Sequence, residues 1–308
     1  MRLIVDTDTA GDDVFSLLLA LRTPGVELDA VTICAGNVAF EQQVENALYT
    51  IEAADRSGDV PVYRGADRPL LREWVDAAYV HGADGMGESN FPRARQRPAP
   101  GHAVDVIVRT VMEAPGDVTI LAQAPLTNVA LAYLREPAIA RATRHLYVMG
   151  GTNNGIGNVT PAAEYNFYVD PEAARIVLGA GFDATLVDWN LCRRDGLFTH
   201  EQLDAIAALD TPLARFFGAV NRKVLEYCVS VGMPGSTHPD LLACAIALDD
   251  AVVLRSVRVA VDVETQGELT RGYCLVDSLH ETDREPNVRI VEAADADLVF
   301  ERFVEILR

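Results

Sequence analysis

Arg2-Leu3-Ile4-Val5-Asp6-Thr7-Asp8-Thr9-Ala10-Gly11-Asp12-Asp13-Val14-Phe15-Ser16-Leu17-Leu18-Leu19-Ala20-Leu21 decides the fold. An apolar run of strand character enters a short acidic turn, and an apolar run of helical length leaves it. Side chains alternate along an extended segment, so Asp6 and Asp8 project to one face. Asp12 and Asp13 fall at the start of the helix, where free N–H groups favour negative charge. That field is too weak to hold four acids together. Two carboxylates ~4 Å apart repel by roughly 4 kcal/mol at an effective dielectric of ~20, and a helix N-terminus returns at most ~2 kcal/mol. A bound cation or a shared proton settles the difference. The ligands on offer are all oxygen, so the cation is a hard one, Ca²⁺ or Mg²⁺. One aspartate at such a turn reads as a helix cap. Four together, at the carboxyl end of a strand, read as a ligand site.

Outward from this stretch, strands and helices alternate. Strands are expected at Leu28–Cys34, Val60–Tyr63, Val118–Ala122, His145–Met149 and Ala184–Asp188. Helices are expected at about Phe40–Arg56, Ala103–Ala114, from Leu126, at Pro171–Leu178 and over Thr199–Cys228 with a break at Thr211-Pro212. This pattern is that of an open, mostly parallel α/β sheet with helices on both faces. Asp67–Gly101 is rich in Gly, Pro and Arg and contains His81; a long loop in such a chain is expected to serve as a lid. Leu241–Leu248 is a short apolar helix. After it come three strands, Val252–Val263, Gly272–Val276 and Asn287–Val291, read as a small C-terminal β element, and a closing helix from Ala296. No linker or repeat interrupts residues 1–308, which read as a single domain.

Forty-nine per cent of the 308 residues are hydrophobic, and 45 acidic side chains face 26 basic ones, for a formal charge of −19. That excess argues against a nucleic-acid backbone and against anionic membranes as partners. Five scattered cysteines without metal-site spacing are expected to be buried free thiols in a reducing compartment. Neither a secretory leader nor an apolar run of spanning length is visible, so a cytoplasmic protein is expected.

Asn158, Glu164 and Asn166 form the second informative group. They lie among small and apolar residues in Gly155–Pro171, with no Lys or Arg nearby in sequence. Two amides and a carboxylate suit a neutral polyhydroxylated ligand, whereas a phosphate calls for basic residues or a backbone cradle. Asp240 heads the apolar helix, and the strand end at Gln123 offers a backbone carbonyl to a cation.

Taken together, Asp6–Asp13, Gly36-Asn37, Pro125–Ala130, Met149-Gly150-Gly151, Gly157–Asn166 and Asp170–Ala174 resemble, in order, the sequence blocks of the nucleoside hydrolases, the inosine–uridine preferring N-ribohydrolases. The resemblance implies Ca²⁺-dependent hydrolysis of the N-glycosidic bond of ribonucleosides to ribose and free base. It implies metal binding by Asp8, Asp13 and Asp240 through side chains and by Gln123 through its carbonyl. Asp12 and Asn166 would hold the ribose 2′- and 3′-hydroxyls, Asn158 and Glu164 the 5′-hydroxyl, and Asn37 would lie near the sugar. Asp8 would take the proton of a cation-bound water. A homodimer or homotetramer working in nucleoside catabolism and purine salvage is implied as well.

The order His238-Pro239-Asp240 departs from the family pattern, in which a His directly precedes the metal-binding Asp. His81 and His238, with aromatics such as Tyr227 and Trp189, are the candidates for handling the departing base. The loop between Met149 and Asn158 is about one residue longer than the pattern. Two other readings compete. One is a catalytically weak ribose- or nucleoside-binding protein on the same scaffold. The other is a Mg²⁺ phosphotransferase of the haloacid dehalogenase type, suggested by Asp6-x-Asp8 but disfavoured by Ala10, where that type wants Thr or Val.

Overall fold

Along the first strand the side chains alternate between two apolar layers. Leu3 and Val5 join one and Ile4 joins the other, so the strand is buried on both faces and lies in the middle of a sheet. A computed structural model describes the whole chain, Met1–Arg308. Its strands are β1 (Arg2–Thr7), β2 (Glu27–Ile33), β3 (Val62–Arg64), β4 (Val118–Ala122), β5 (His145–Met149), β6 (Ala184–Val187), β7 (Leu197–Thr199), β8 (Gly235–Thr237), β9 (Val253–Val263), β10 (Cys274–Asp277) and β11 (Val288–Ala294). Nine of them form one sheet in the order β10-β9-β11-β6-β5-β4-β1-β2-β3, and β7 pairs with β8 apart from it.

From β3 across to β11 every neighbouring pair is parallel. β9 and β10 then close that edge in antiparallel pairing. The three C-terminal strands, read from sequence as a small β element, thus extend the central sheet. Local sequence identifies such strands but not which edge they join.

Helices Asp12–Arg22, Phe40–Ala53, Pro239–Leu248 and Ala296–Leu307 cover one face with Phe15, Leu18, Leu48, Leu242 and Phe303. Helices Ala103–Glu113, Thr127–Arg135 and Pro171–Gly179 cover the other with Ile107, Val129 and Ala173. All five cysteines are buried and unpaired, and no helix is long and apolar enough to cross a membrane.

The strand order reverses at β1. The chain runs outward through β2 and β3, returns to pair β4 with the other side of β1, and continues through β5 and β6. In open α/β sheets the crevice outside the carboxyl ends of the strands at such a reversal is where ligands bind. The acidic turn follows β1, Asn37 follows β2, Gln123 follows β4, and the Asn158–Asn166 segment follows β5. All four therefore open onto that crevice.

Under it lies an aromatic cluster. Phe15, from the helix after the acidic turn, packs 4.5 Å from Phe217 and 5.9 Å from Phe303 between ring centroids. Phe303 is fully buried and belongs to the closing helix. Phe303→Ala is expected to cost about 3–5 kcal/mol in urea unfolding. A loss under about 1 kcal/mol would show that the closing helix is not part of the support beneath the acidic turn.

Candidate active site

Four carboxylates leave water at the β1 turn. Asp8 and Asp13 are wholly buried, and Asp12 and Asp240 nearly so. Two glycines allow the packing. Gly11 has φ +47°, and a Cβ there would stand 2.2 Å from Nδ1 of His81. A Cβ on Gly36 would stand 1.9 Å from Oδ2 of Asp8.

Asp13 is the most firmly held. Its Oδ1 accepts from the Thr7 hydroxyl at 2.6 Å and the Gln123 side-chain amide at 3.1 Å. Its Oδ2 accepts from Ala10 N–H at 3.1 Å and Asn37 Nδ2 at 3.2 Å. Asp8 Oδ2 accepts from Asn37 N–H at 2.9 Å, while its Oδ1 is enclosed with no protein partner. Asp12 Oδ2 accepts from Asp240 N–H at 2.9 Å, so the first turn of one helix is tied to the first turn of another. Asp240 Oδ1 is likewise enclosed and unpartnered.

Carboxylate oxygens of Asp12, Asp13 and Asp240 lie within 4.8 Å of one another. Burial, and after it the charge of Asp13, pushes the carboxyl of Asp12 up to about 7. Burial first, then the neighbouring acids, raises Asp8 and Asp240 well above the usual carboxylate range. No Lys or Arg lines the cavity to offset them. Orphaned buried oxygens, mutual proximity and an all-oxygen donor set fit a hard divalent cation. Gln123, whose side chain donates to Asp13, accepts at its carbonyl from Asn166 Nδ2 at 3.3 Å.

Above the acids opens a cavity. Asp12, Asn37, Gln123, Asn158, Glu164, Asn166 and Asp240 line its polar floor. Glu164 caps the short helix Tyr165–Val169, accepting from the N–H groups of Asn166, Phe167 and Gly151. Burial still pushes its carboxyl up to about 7. Asn158 Oδ1 is enclosed without a partner. Much of the rest is a mostly apolar wall that includes Tyr79, His81, Tyr165, Trp189, Tyr227 and Pro239.

The Asp67–Gly101 segment folds down over the cavity. Trp74 Nε1 donates to Gly36 O at 2.6 Å, Ala77 N–H to Asn37 O at 2.7 Å, and the Tyr165 hydroxyl to Val75 O at 2.7 Å.

The sequence profile of the inosine–uridine preferring nucleoside hydrolases matches residues 3–301. The chain belongs to that family. It is 34% identical, over 100% of its length and 99% of the relative's, to an uncharacterized protein of Schizosaccharomyces pombe. It is also 34% identical to the pyrimidine-specific ribonucleoside hydrolase RihA of Salmonella arizonae, over 99% of this chain and 96% of that one. A plant nucleoside hydrolase superposes with a TM-score of 0.92 at 30% identity, covering 99% of this chain and 98% of its own. The purine-preferring ribonucleoside hydrolase of Gardnerella vaginalis gives 0.92 at 26% identity, covering 100% and 98%. Nucleoside hydrolases are enzymes that cleave N-glycosyl bonds, and this chain is one of them by descent.

Within this nucleoside hydrolase the residues expected at the site lie together, with one exception. Asp12, Asn37, Gln123, Asn158, Glu164, Asn166 and Asp240 reach the cavity, and Asp8 and Asp13 lie directly beneath it. His81 also lines it, from the short helix Ala78–His81 and not from a loop.

His238 corrects an expectation. Its ring is fully buried, with centroids 4.7 Å from Phe198, 5.4 Å from Phe15 and 5.7 Å from Phe217. Both ring nitrogens are enclosed and unpartnered, and the ring does not line the cavity, although Thr237, Pro239 and Asp240 do. Proline restricts the backbone of the residue before it. His238, at φ −132° and ψ 71°, therefore turns its ring into the aromatic layer below.

The sequence reading missed Thr7 and the Gln123 side chain as donors to Asp13, and Tyr79 in the wall. Thr7 carried a signal, since it stands between two of the acids. The other two carried none.

Asp6, Asp12 and Glu164 each titrate at about 7 in the folded chain and near ~4 when unfolded. Between those values the folded chain holds more protons than the unfolded one, so stability falls as pH rises from ~4 to ~7. Protein stripped of metal by chelation is expected to melt at least about 5 °C lower at pH 7.5 than at pH 5. Excess Ca²⁺ should narrow that gap. A melting temperature that rises over the same interval would contradict the burial of these acids.

Proposed function

We propose that this enzyme hydrolyses ribonucleosides to ribose and free base in a Ca²⁺-dependent reaction, as one unit over residues 1–308. The observation that carries the reading is the set of enclosed, unpartnered oxygens of Asp8 and Asp240 at a polar floor that holds amides and carboxyl groups and no Lys or Arg. Asp8, Asp13 and Asp240 would hold the cation through side chains and Gln123 through its carbonyl. Bound there, Ca²⁺ supplies positive charge that acidifies water and attracts vicinal hydroxyls.

Asp12 and Asn166 hold the ribose 2′- and 3′-hydroxyls. Asn158 Oδ1, which lacks a protein partner, accepts from the 5′-hydroxyl beside Glu164. Asn37 fixes Asp8 and Asp13 through its backbone and side-chain N–H groups. Asp8 is then held by one oxygen and takes the proton of the attacking water on the other. As the bond to the base stretches, positive charge grows at C1′, and the buried carboxylates stabilise it. His81 and the aromatic wall face the departing base. Resemblance to the family supports a cytoplasmic homodimer or homotetramer in nucleoside catabolism and purine salvage.

A ribose- or nucleoside-binding protein without turnover is the second reading, favoured by the withdrawal of His238 from the cavity. Reducing-sugar release from a panel of nucleosides, with and without exhaustive chelation, separates the two. Release that is lost on chelation and restored by Ca²⁺ is expected. Asp8→Asn should lower kcat by at least roughly a hundredfold with Ca²⁺ affinity measured in parallel. Release indifferent to chelation, or tight ribose binding with no release, would contradict the proposal.

A further inference from the structure

When a neutral nucleobase leaves C1′, its nitrogen takes both bonding electrons and becomes an anion unless a proton arrives with them. The base side of this cavity is poor in proton donors. His238 points into the aromatic layer, and Pro239, which takes its place at the wall, has no N–H. No Lys or Arg lines the cavity. Burial raises the phenols of Tyr79 and Tyr227, making them weaker acids. His81 is the one imidazole present, and burial lowers it to about 4, so it is uncharged near neutrality.

The same wall suits a cation. The rings of Tyr79 and Tyr227 meet edge to face with centroids 5.6 Å apart, and Trp189 adds a third aromatic surface. Aromatic faces attract cations. The charge of Asp76 acts on Tyr79 from outside, and five buried acids lie on or under the floor, a field that draws in positive ligands.

We infer that the preferred substrates are ribosides whose base carries a permanent positive charge, the N-ribosylpyridinium class and N7-alkylated purine ribosides. This rests on the hydrolase reading above. In a pyridinium riboside the C1′–N bond breaks with its electron pair passing to the ring nitrogen, and the ring leaves neutral. The water oxygen bonds to C1′, and the proton it sheds passes to Asp8 and on to solvent. Cationic riboside and water give ribose, a neutral pyridine and one proton, so charge and atoms balance. No proton has to reach the base.

Steady-state kcat/KM is to be measured on the Ca²⁺-loaded enzyme with nicotinamide riboside, uridine and inosine, and with the matched pair 7-methylguanosine and guanosine. Nicotinamide riboside is expected to exceed uridine and inosine by at least about tenfold, and 7-methylguanosine to exceed guanosine by the same margin. Tyr79→Leu, at an exposed position, and Tyr227→Leu should each lower kcat/KM for nicotinamide riboside by roughly threefold to thirtyfold, and that for inosine by less. Cationic ribosides that fall short of the tenfold margin overturn the inference and leave the hydrolase reading intact. An absence of release from every riboside overturns the hydrolase reading and this inference with it.

Discussion

Burying several like charges at one strand end is the constraint on which the rest of this structure depends. Asp8, Asp12, Asp13 and Asp240 are drawn from sequence positions as far apart as 8 and 240, yet the fold takes all four out of water. Hydrogen bonds answer only part of that demand. Asp13 receives four donors, but Asp8 and Asp240 each keep an enclosed oxygen that nothing in the protein satisfies. Carboxylate oxygens of Asp12, Asp13 and Asp240 lie within 4.8 Å of one another, and a fold that gathers acids in this way beside unsatisfied oxygens could hold a cation. Stability and function are joined here, because the counter-charge the buried acids require is also what a sugar diol can bind.

The scaffold explains why the site can be both acidic and ordered. Most contributing segments leave the carboxyl ends of parallel strands around the point where strand order reverses, while Asp240 comes from the helix that follows β8, outside the main sheet. The backbone there is anchored on both sides, and the side chains need travel only a residue or two to converge. Cross-links then fix the loops to one another. Asn37 bridges Asp8 and Asp13, Asp240 N–H holds Asp12, and Asn166 spans the Gln123 and Met149 carbonyls. The covering segment is tied to the same loops through Trp74 and Ala77. The polar floor of the cavity and the segment that covers it thus share anchor points.

How much of this was legible in the sequence follows from where the information lies. β4 and β5 were readable end to end because each is a short, mostly apolar run stopped by a turn. The acidic turn, Glu164 and Asn166 were readable from residue chemistry and position, whereas Asn37 was readable only through the resemblance to the family. The short helices Ala78–His81, Tyr165–Val169 and Trp189–Asp195 were not, since one or two turns give no periodicity to detect. The joining of β9, β10 and β11 to the parallel sheet depends on long-range pairing that no local pattern encodes. His238 is the sharpest case. Its neighbour Asp240 marks it as a site residue, but its ring direction is set by Pro239 and by phenylalanines from three other parts of the chain. The Gln123 side chain was invisible for the opposite reason: attention to its carbonyl hid the amide that steadies Asp13.

The two sides of the cavity therefore carry different chemistry. The floor is polar, crowded and fixed by many hydrogen bonds, while the opposite wall is aromatic and apolar and carries no Lys or Arg. The central claim, that the buried acids share one calcium ion, is tested most directly by long-wavelength anomalous diffraction from crystals grown with Ca²⁺ and ribose. The account predicts a single calcium peak per chain, ligated by Asp8, Asp13, Asp240 and the Gln123 carbonyl and by two hydroxyls of the sugar. Acids standing around ordered solvent with no anomalous peak, in crystals that hold Ca²⁺ elsewhere or in abundance, would contradict it.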